Sequence, residues 1–301
     1  MIGGAQLGLA YGLANRSGRP TVDAVREMLS VAAAGGATTI DTAAAYGDSE
    51  SVIGAVLAAD VALRDRLWAI TKIAPDVGEA ADAAGAVLRL RASVDESRRR
   101  LRQDHLPLVL LHRAGARTAF GGALWEVLVR LIEDGVLGAI GVSVYAPEEV
   151  LAAIADPHVA AIQVPLSVLD RRMVAAGVPE LCLERGVALF ARSVFMQGAL
   201  AVPDLPPGSY PEPLGKFVAR FGAEATHRGC SGAGLALAYA RAIPGVAGLV
   251  VGAESAEQVL LNLALFGEEP LGPSEAAEIE AAIGRPNDEL VDISRWNRPP
   301  G

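Results

Sequence analysis

Residues 127–143 read "VLVRLIEDGVLGAIGVS". An amphipathic helical run stops at Gly135, because glycine takes the left-handed conformation that closes a helix at little cost. The apolar run that follows is too short for a second helix and suits a strand buried on both faces. The same figure recurs in "LSVAAAGGATTID" (29–41), "LCLERGVALFARS" (181–193) and "ARAIPGVAGLVVG" (240–252). Further strand candidates are "GGAQLG" (3–8), "LWAITK" (67–72) and "LPLVLLH" (106–112), the last with Pro107 near its start, where a strand tolerates it. The spacing predicts helices over Thr21–Ala34, Ser49–Ala59, Glu79–Gln103, Leu124–Asp134, Pro147–Ala155 and Ser255–Leu265. Strand and helix alternate through about eight units, which predicts an α/β fold, a (β/α)8 TIM barrel, as one domain over residues 1–301.

A doubly wound sheet is the alternative. It usually carries a G-x-G-x-x-G turn near its start, and this chain has none; "GCSGAG" (229–234) has the wrong spacing. One segment breaks the rhythm. Val202–Gly215, "VPDLPPGSYPEPLG", holds 5 of the 18 prolines and follows the seventh strand. It is expected as a long loop on the C-terminal face, either a rigid connector or a wall of the substrate site.

The bulk composition is globular: 301 residues, 51% hydrophobic, 20% charged, net charge −9. The acidic balance argues against non-specific nucleic-acid binding. No apolar run reaches the roughly 20 residues that a membrane helix needs, and "MIGGAQLG" lacks the basic start of a signal peptide. A cytoplasmic location is expected. The 2 cysteines, Cys182 and Cys230, lie on apolar helical patterns and read as buried free thiols. His105, His158 and His227 have no metal-ligand spacing, and no metal is expected. The arginines of 98–102 read as a solvated helix face.

In a barrel of this kind the active site lies at the C-terminal ends of the strands. Strand two ends at Asp41, strand three at Lys72 and strand four at His112; Tyr46 sits on the loop after strand two. These groups suit one another. A free phenol, with a pKa of about 10, is a poor proton donor near neutrality. A neighbouring ammonium makes it a better one by stabilising the phenolate, and a carboxylate keeps the ammonium in place and charged. An imidazole can orient a carbonyl oxygen by hydrogen bonding. The set predicts protonation of a forming alkoxide, with hydride delivery from a nicotinamide cofactor as the partner reaction.

With "IDTAAAYGDSE", "TK" and "LLHR" in this order, the chain resembles the aldo-keto reductases, a family of TIM barrels that bind NAD(P)H without a Rossmann domain. The resemblance implies Tyr46 as general acid, Lys72 and Asp41 as its tuning pair, and His112 as carbonyl orienter. "GVSVY" and "IQVPLSVLD" resemble the family's strands five and six, which implies Ser143 and Gln163 as holders of the nicotinamide carboxamide. "ARSVFMQGAL" resembles the loop that crosses the pyrophosphate, with Ser193, Gly198 and Leu200 near it. "VVGAESAEQVLLNL" resembles the adenosine site, with Gly252, Gln258 and Asn262 as contacts.

The chain departs from the family in places. Val144 stands where many members have Asn, and Arg192 where an aromatic usually stacks on the nicotinamide. The N-terminal hairpin that plugs many members' barrels is missing or shortened. Members specific for NADPH place Lys or Arg around the adenosine ribose, whereas this chain offers Glu254 and Gln258. A carboxylate repels a 2′-phosphate and accepts from a ribose hydroxyl. The family's habit is NADP(H), and the local residues lean towards NAD(H).

The expected function is reduction of an aldehyde or ketone. "GGAQLGLAYGLANRSGRP" resembles a bacterial subgroup that accompanies sugar and surface-polysaccharide genes, which implies a keto-sugar or sugar nucleotide as substrate. Tyr11, Arg16 and Arg19 on the first loop and Trp296 in a C-terminal tail crossing the barrel top are the substrate-contact candidates; the alternatives are that the two arginines are plain surface residues and that Trp296 only anchors the tail. Two other readings stay open: a redox-neutral sugar epimerase that retains NAD(P), and a cofactor-binding regulatory subunit, against which the complete set of four polar residues argues. The oligomeric state is left open.

Overall fold

The computed structural model describes residues 1–13, 15, 17–202 and 205–296. Among them, parallel strands run β1 (Ile2–Gly3), β2 (Thr39–Asp41), β3 (Trp68–Lys72), β4 (Leu106–Leu111), β5 (Leu137–Ser143), β6 (Val159–Pro165), β7 (Ala188–Arg192), β8 (Val246–Leu249) and β9 (Val251–Gly252). Neighbours pair in the order β8-β7-β6-β5-β4-β3-β2-β1-β9. β8 pairs with β7 and β9 with β1, and Val250 alone separates β8 from β9. The sheet therefore closes on itself, with helices around it: the expected (β/α)8 barrel.

The helical readings hold closely where the caps are explicit. Thr21 caps Val22–Ala34 by accepting from the Ala24 amide, and Ser255 caps Ala256–Gly267 by accepting from Gln258. One helix boundary, three helices and the first strand need correction. The helix expected over Glu79–Gln103 spans Ala83–Leu101, because Asp82 caps it and Arg102 leaves it in the left-handed conformation. Helices at Gly215–His227, Gly232–Arg241 and Pro273–Ile283 escaped the sequence reading. The first strand is Ile2–Gly3 rather than "GGAQLG": the chain turns at Gly4 into a one-turn helix over Ala5–Gly8. Packing explains the turn. A β-carbon on Gly8 would lie 2.0 Å from the Tyr46 carbonyl oxygen, so the loop after β2 presses onto this helix where only glycine fits.

Strand parity separates two cores. Ile70, Leu108, Leu110 and Ala161 form an inner cluster, with Met1, Ala139, Ala188 and Phe190 against it. Their strand neighbours Ala69, Val109 and Ile162 belong to the larger core under the helices. Counting on by twos from the inner cluster along β3–β7 reaches Lys72, His112, Ser143, Gln163 and Arg192. The site is the uppermost inward layer of the barrel.

Among the described residues no helix is long and apolar enough to cross a membrane, and no group of three or more His, Cys, Asp or Glu could hold a metal ion. Both cysteines are free; Cys182 is buried and Cys230 only half-buried, on the turn before Ser231. His105 contacts the Gly135 carbonyl, His158 pairs with Asp156, and His227 ends a helix. The arginine run is a mostly solvated face, with Arg98 on Asp95 and Arg99 on Glu96; Arg100 additionally reaches the buried Glu50.

Candidate active site

At the top of the barrel lies a cavity of about 390 Å³. Tyr46, His112, Asp41, Ser143, Tyr145 and Arg192 border it at one side, and Gly252, Glu254, Gln258 and Asn262 also line it. Tyr46 reaches it because its loop is tied down. The Tyr46 amide donates to the Ala43 carbonyl, and the Ala44 amide to that of Lys72. Beneath, the buried Thr42 hydroxyl donates to Ser49 Oγ (2.8 Å), which donates to the Gly4 carbonyl (2.7 Å).

The polar centre is dry. Lys72 is 1% exposed and Asp41 3%. Lys72 Nζ donates to both Asp41 oxygens at 2.8 Å, to the Thr42 carbonyl at 3.0 Å, and stands 3.5 Å from the Tyr46 phenol oxygen. Burial works against the ammonium charge, but Asp41 and then Tyr46 outweigh it, and the Lys72 pKa is raised. A buried ammonium with one carboxylate on one side and a phenol on the other remains a cation. Gln163, fully buried, donates from Nε2 to Asp41 Oδ1 at 2.7 Å. Its Oε1 has no partner, a rare condition for a buried carbonyl oxygen.

His112 stands edge-on to Tyr46, with ring centroids 5.8 Å apart and planes at 87°. Its pKa falls to about 3, chiefly through burial and then through the positive charges of Lys72, Arg192 and Arg113. The imidazole is neutral at physiological pH and can offer an N–H without carrying charge.

The other candidates divide. Ser193 and Gly198 line the cavity, whereas Leu200 does not: it is buried in the hydrophobic core, with its amide on the Phe195 carbonyl. Arg192 lines the cavity with its guanidinium 4.3 Å from the Tyr145 ring centroid and Nη2 on the Val144 carbonyl at 3.1 Å. Glu254 accepts from Ser17 Oγ at 3.1 Å and gives its own amide to Gln258 Oε1 at 2.8 Å. Asn262 Nδ2 donates to the Gly252 carbonyl at 3.4 Å.

Of the substrate candidates, Tyr11 lines the cavity. Arg19 does not; it is paired with Asp48 on the surface. Arg16 lies outside the described residues. Trp296 is a correction: it is buried away from the cavity, donating Nε1–H to the Leu290 carbonyl at 2.9 Å and packing on Tyr210. Ile293 and Ser294 of the same tail line the cavity in its stead. Gln6, Tyr145, Phe195 and Gln197 also line it and were not singled out from the sequence. Tyr145 was within reach, since it lies two residues beyond the inward Ser143. Gln197 was not, because it reaches the cavity through a left-handed backbone (φ 58°) that no local pattern announces.

The model of the aldo/keto reductase family matches residues 1–283. An aldo-keto reductase of Mycolicibacterium smegmatis is 37% identical over 122 residues, 40% of either chain. A 6-dehydroglucose reductase of Novosphingobium aromaticivorans is 32% identical over 148 residues, 45% of this chain and 46% of that one. The chain thus matches less than half the length of these curated relatives. It superposes on an aldo-keto reductase structure of Bacillus halodurans in its holo form, with a TM-score of 0.77 and 23% identity, covering 93% of this chain and 90% of that one. The chain belongs to the aldo/keto reductase family.

Proposed function

We propose that this member of the aldo/keto reductase family is an NAD(P)H-dependent carbonyl reductase in which Tyr46 is the proton donor. One observation carries the reading: the Lys72 ammonium bridges both oxygens of buried Asp41 and faces the Tyr46 phenol, at the edge of a cavity also lined by a neutral His112.

The residues fit a nicotinamide cofactor. Gln163 is buried beneath the cavity rather than lining it, and its Oε1 is an acceptor without a donor, which a carboxamide N–H would supply. Ser143, at the end of the adjoining strand, adds a hydroxyl. Ser193 and Gly198 would meet the pyrophosphate, and Gly252, Gln258 and Asn262 the adenosine, with Glu254 accepting from a ribose hydroxyl. When bound, the cofactor supplies the hydride.

The chain's own groups do the rest. His112 donates an N–H to the carbonyl oxygen and fixes its position without adding charge. Tyr46 gives its proton to that oxygen as negative charge develops on it. The Lys72 ammonium stabilises the phenolate left behind, and Asp41 holds the ammonium in place. Gln163 holds Asp41 in turn, so the carboxamide site and the proton donor share one hydrogen-bonded chain. The substrate is a small carbonyl compound. The relative named 6-dehydroglucose reductase supports an oxidised sugar.

Tyr46→Phe tests the assignment. Turnover, followed by nicotinamide absorbance, is expected to fall about 10²–10⁴-fold, the range for loss of a general acid. Cofactor affinity, followed by fluorescence titration, is expected to stay near the wild type. A variant with near wild-type turnover would remove Tyr46 from the role.

A further inference from the structure

Arg192 is the single Lys or Arg among the described residues lining the cavity. Its partners are the Val144 carbonyl (3.1 Å), the Ser193 hydroxyl (3.4 Å) and the face of Tyr145; none is a carboxylate. Among the more buried arginines, Arg172 is paired with Asp170, Arg171 with Glu280 and Arg117 with Asp156; half-buried Arg241, outside the cavity, rests like Arg192 on an aromatic ring and a backbone carbonyl. The nearby charges do not answer Arg192 either. Asp41 is fully engaged by Lys72 and Gln163, and Glu254 takes the Ser17 hydroxyl.

The guanidinium is also held firmly. Stacking on Tyr145 and bonding to Val144 fix its plane, and Ser193 follows it in a left-handed conformation (φ 63°) that a serine adopts only when its surroundings require it. A guanidinium has five N–H donors, and two hydrogen bonds leave three to offer. Arg192 ends β7 in the same inward layer as Lys72, His112, Ser143 and Gln163, and lines the cavity with Tyr46 and His112, so it belongs to the carbonyl end of the cavity.

A fixed guanidinium with no carboxylate partner among the described residues, beside the groups proposed to hold a carbonyl oxygen, is a receptor for an anion. We infer that Arg192 binds a carboxylate or phosphate carried by the carbonyl substrate, so that the preferred substrates are oxo acids or phosphorylated aldehydes and ketones, oxidised sugars bearing such a group among them. The inference rests on the carbonyl-reductase reading above and adds the substrate class to it. Tyr145 is the positioning residue for the guanidinium.

Two matched pairs of compounds test it: succinic semialdehyde against its methyl ester, and glyceraldehyde 3-phosphate against glyceraldehyde. Wild-type kcat/KM is expected to favour the anionic member of at least one pair by about ten-fold or more, the effect of one charge-assisted contact; the pair that shows it tells carboxylate from phosphate. Arg192→Met is expected to erase that preference, chiefly by raising KM for the anion, so that the anionic member loses about ten-fold more kcat/KM than its neutral partner, whatever loss the two share. Arg192→Lys keeps the charge and loses the fork, and is expected to fall between the two.

A wild type that favours neither anion overturns the inference, as does an Arg192→Met that weakens both members equally. Cofactor affinity is measured in parallel. A loss there with the substrate preference intact would assign Arg192 to the cofactor's phosphates and overturn the inference as well.

A second readout needs no turnover. Succinate and inorganic phosphate, titrated into the protein, are expected to raise the wild-type melting temperature saturably and to leave Arg192→Met unmoved. If no carbonyl compound is reduced but this difference stands, the reductase reading fails while the anion site survives. If both proteins respond alike, the anion site fails by itself.

Discussion

Lys72 and Asp41 are a buried ion pair, proposed above to serve the proton donor. Removing both from water is costly, and their attraction roughly offsets that cost. Removing one alone leaves the other uncompensated. Lys72→Met is therefore expected to lose about 3–5 kcal/mol of stability. Adding Asp41→Asn to it is expected to recover part of that loss, and chemical denaturation of the three proteins checks both signs. His112 carries a pH dependence of its own. Burial and neighbouring cations hold its pKa at about 3, below the ordinary 6.5. Between those values the unfolded chain binds a proton that the folded one refuses. This contribution to stability is whole above pH 6.5 and is lost as pH falls towards about 3. His112→Gln, which cannot titrate, is expected to show a flatter fall in denaturation midpoint over that window. An identical slope in both proteins would contradict a neutral buried imidazole.

Two irregular elements wall the cavity together. The Pro-rich segment contributes Val202 to the lining, and the tail contributes Ile293 and Ser294. Tyr210 of the first packs on Trp296 of the second at 6.4 Å between ring centroids, and Trp296 Nε1–H is secured by the Leu290 carbonyl. Trp296 thus shapes the site from behind, by anchoring the residues that line it. Trp296→Ala is expected to change KM or selectivity among substrates by several-fold while cofactor affinity stays put, because the end of the cavity proposed for the adenosine lies on other loops. Unchanged kinetics with every active substrate would reduce tail and segment to plain connectors. The segment's prolines announced a rigid loop; that its partner would be the tail's tryptophan lay beyond local pattern.

At the scale of the whole barrel, ring closure brings the first and last loops together. β1 pairs with both β2 and β9, and so Ser17 of the first loop donates to Glu254 of the last, 237 residues away. Within this arrangement a carboxylate, and among the described residues no Lys or Arg, lines the part of the cavity proposed to take the adenosine ribose. NADH is expected to bind at least as well as NADPH, and Glu254→Arg to shift preference towards NADPH by about 1–3 kcal/mol, the value of a charge-assisted hydrogen bond. Isothermal titration of both proteins with both cofactors decides it. A strong wild-type preference for NADPH, unmoved in the variant, would show that the ribose sits elsewhere.

The alternation of glycine-ended helices with short apolar runs was enough to predict the barrel, because burial on both faces leaves a parallel strand no polar alternation and each crossover needs a helix. Explicit caps such as Thr21 and Ser255 fixed helix starts for the same local reason. The motif order placed Asp41, Tyr46, Lys72 and His112 on one rim, since parity along a strand is a property of sequence. What only the tertiary structure decided involves contacts between distant strands and loops. The approach of Tyr46 to Gly8 turned the chain out of β1 early. Closure of the barrel gave Gln163 to Asp41 and left its carbonyl oxygen unpaired. Trp296 turned away from the cavity to meet Tyr210, and Arg192 came to rest on Tyr145 beside His112 with no carboxylate to answer it. Those outcomes, all read among the described residues, depend on which side chains meet across the ring, and hydrophobic periodicity within one strand carries no record of its neighbour.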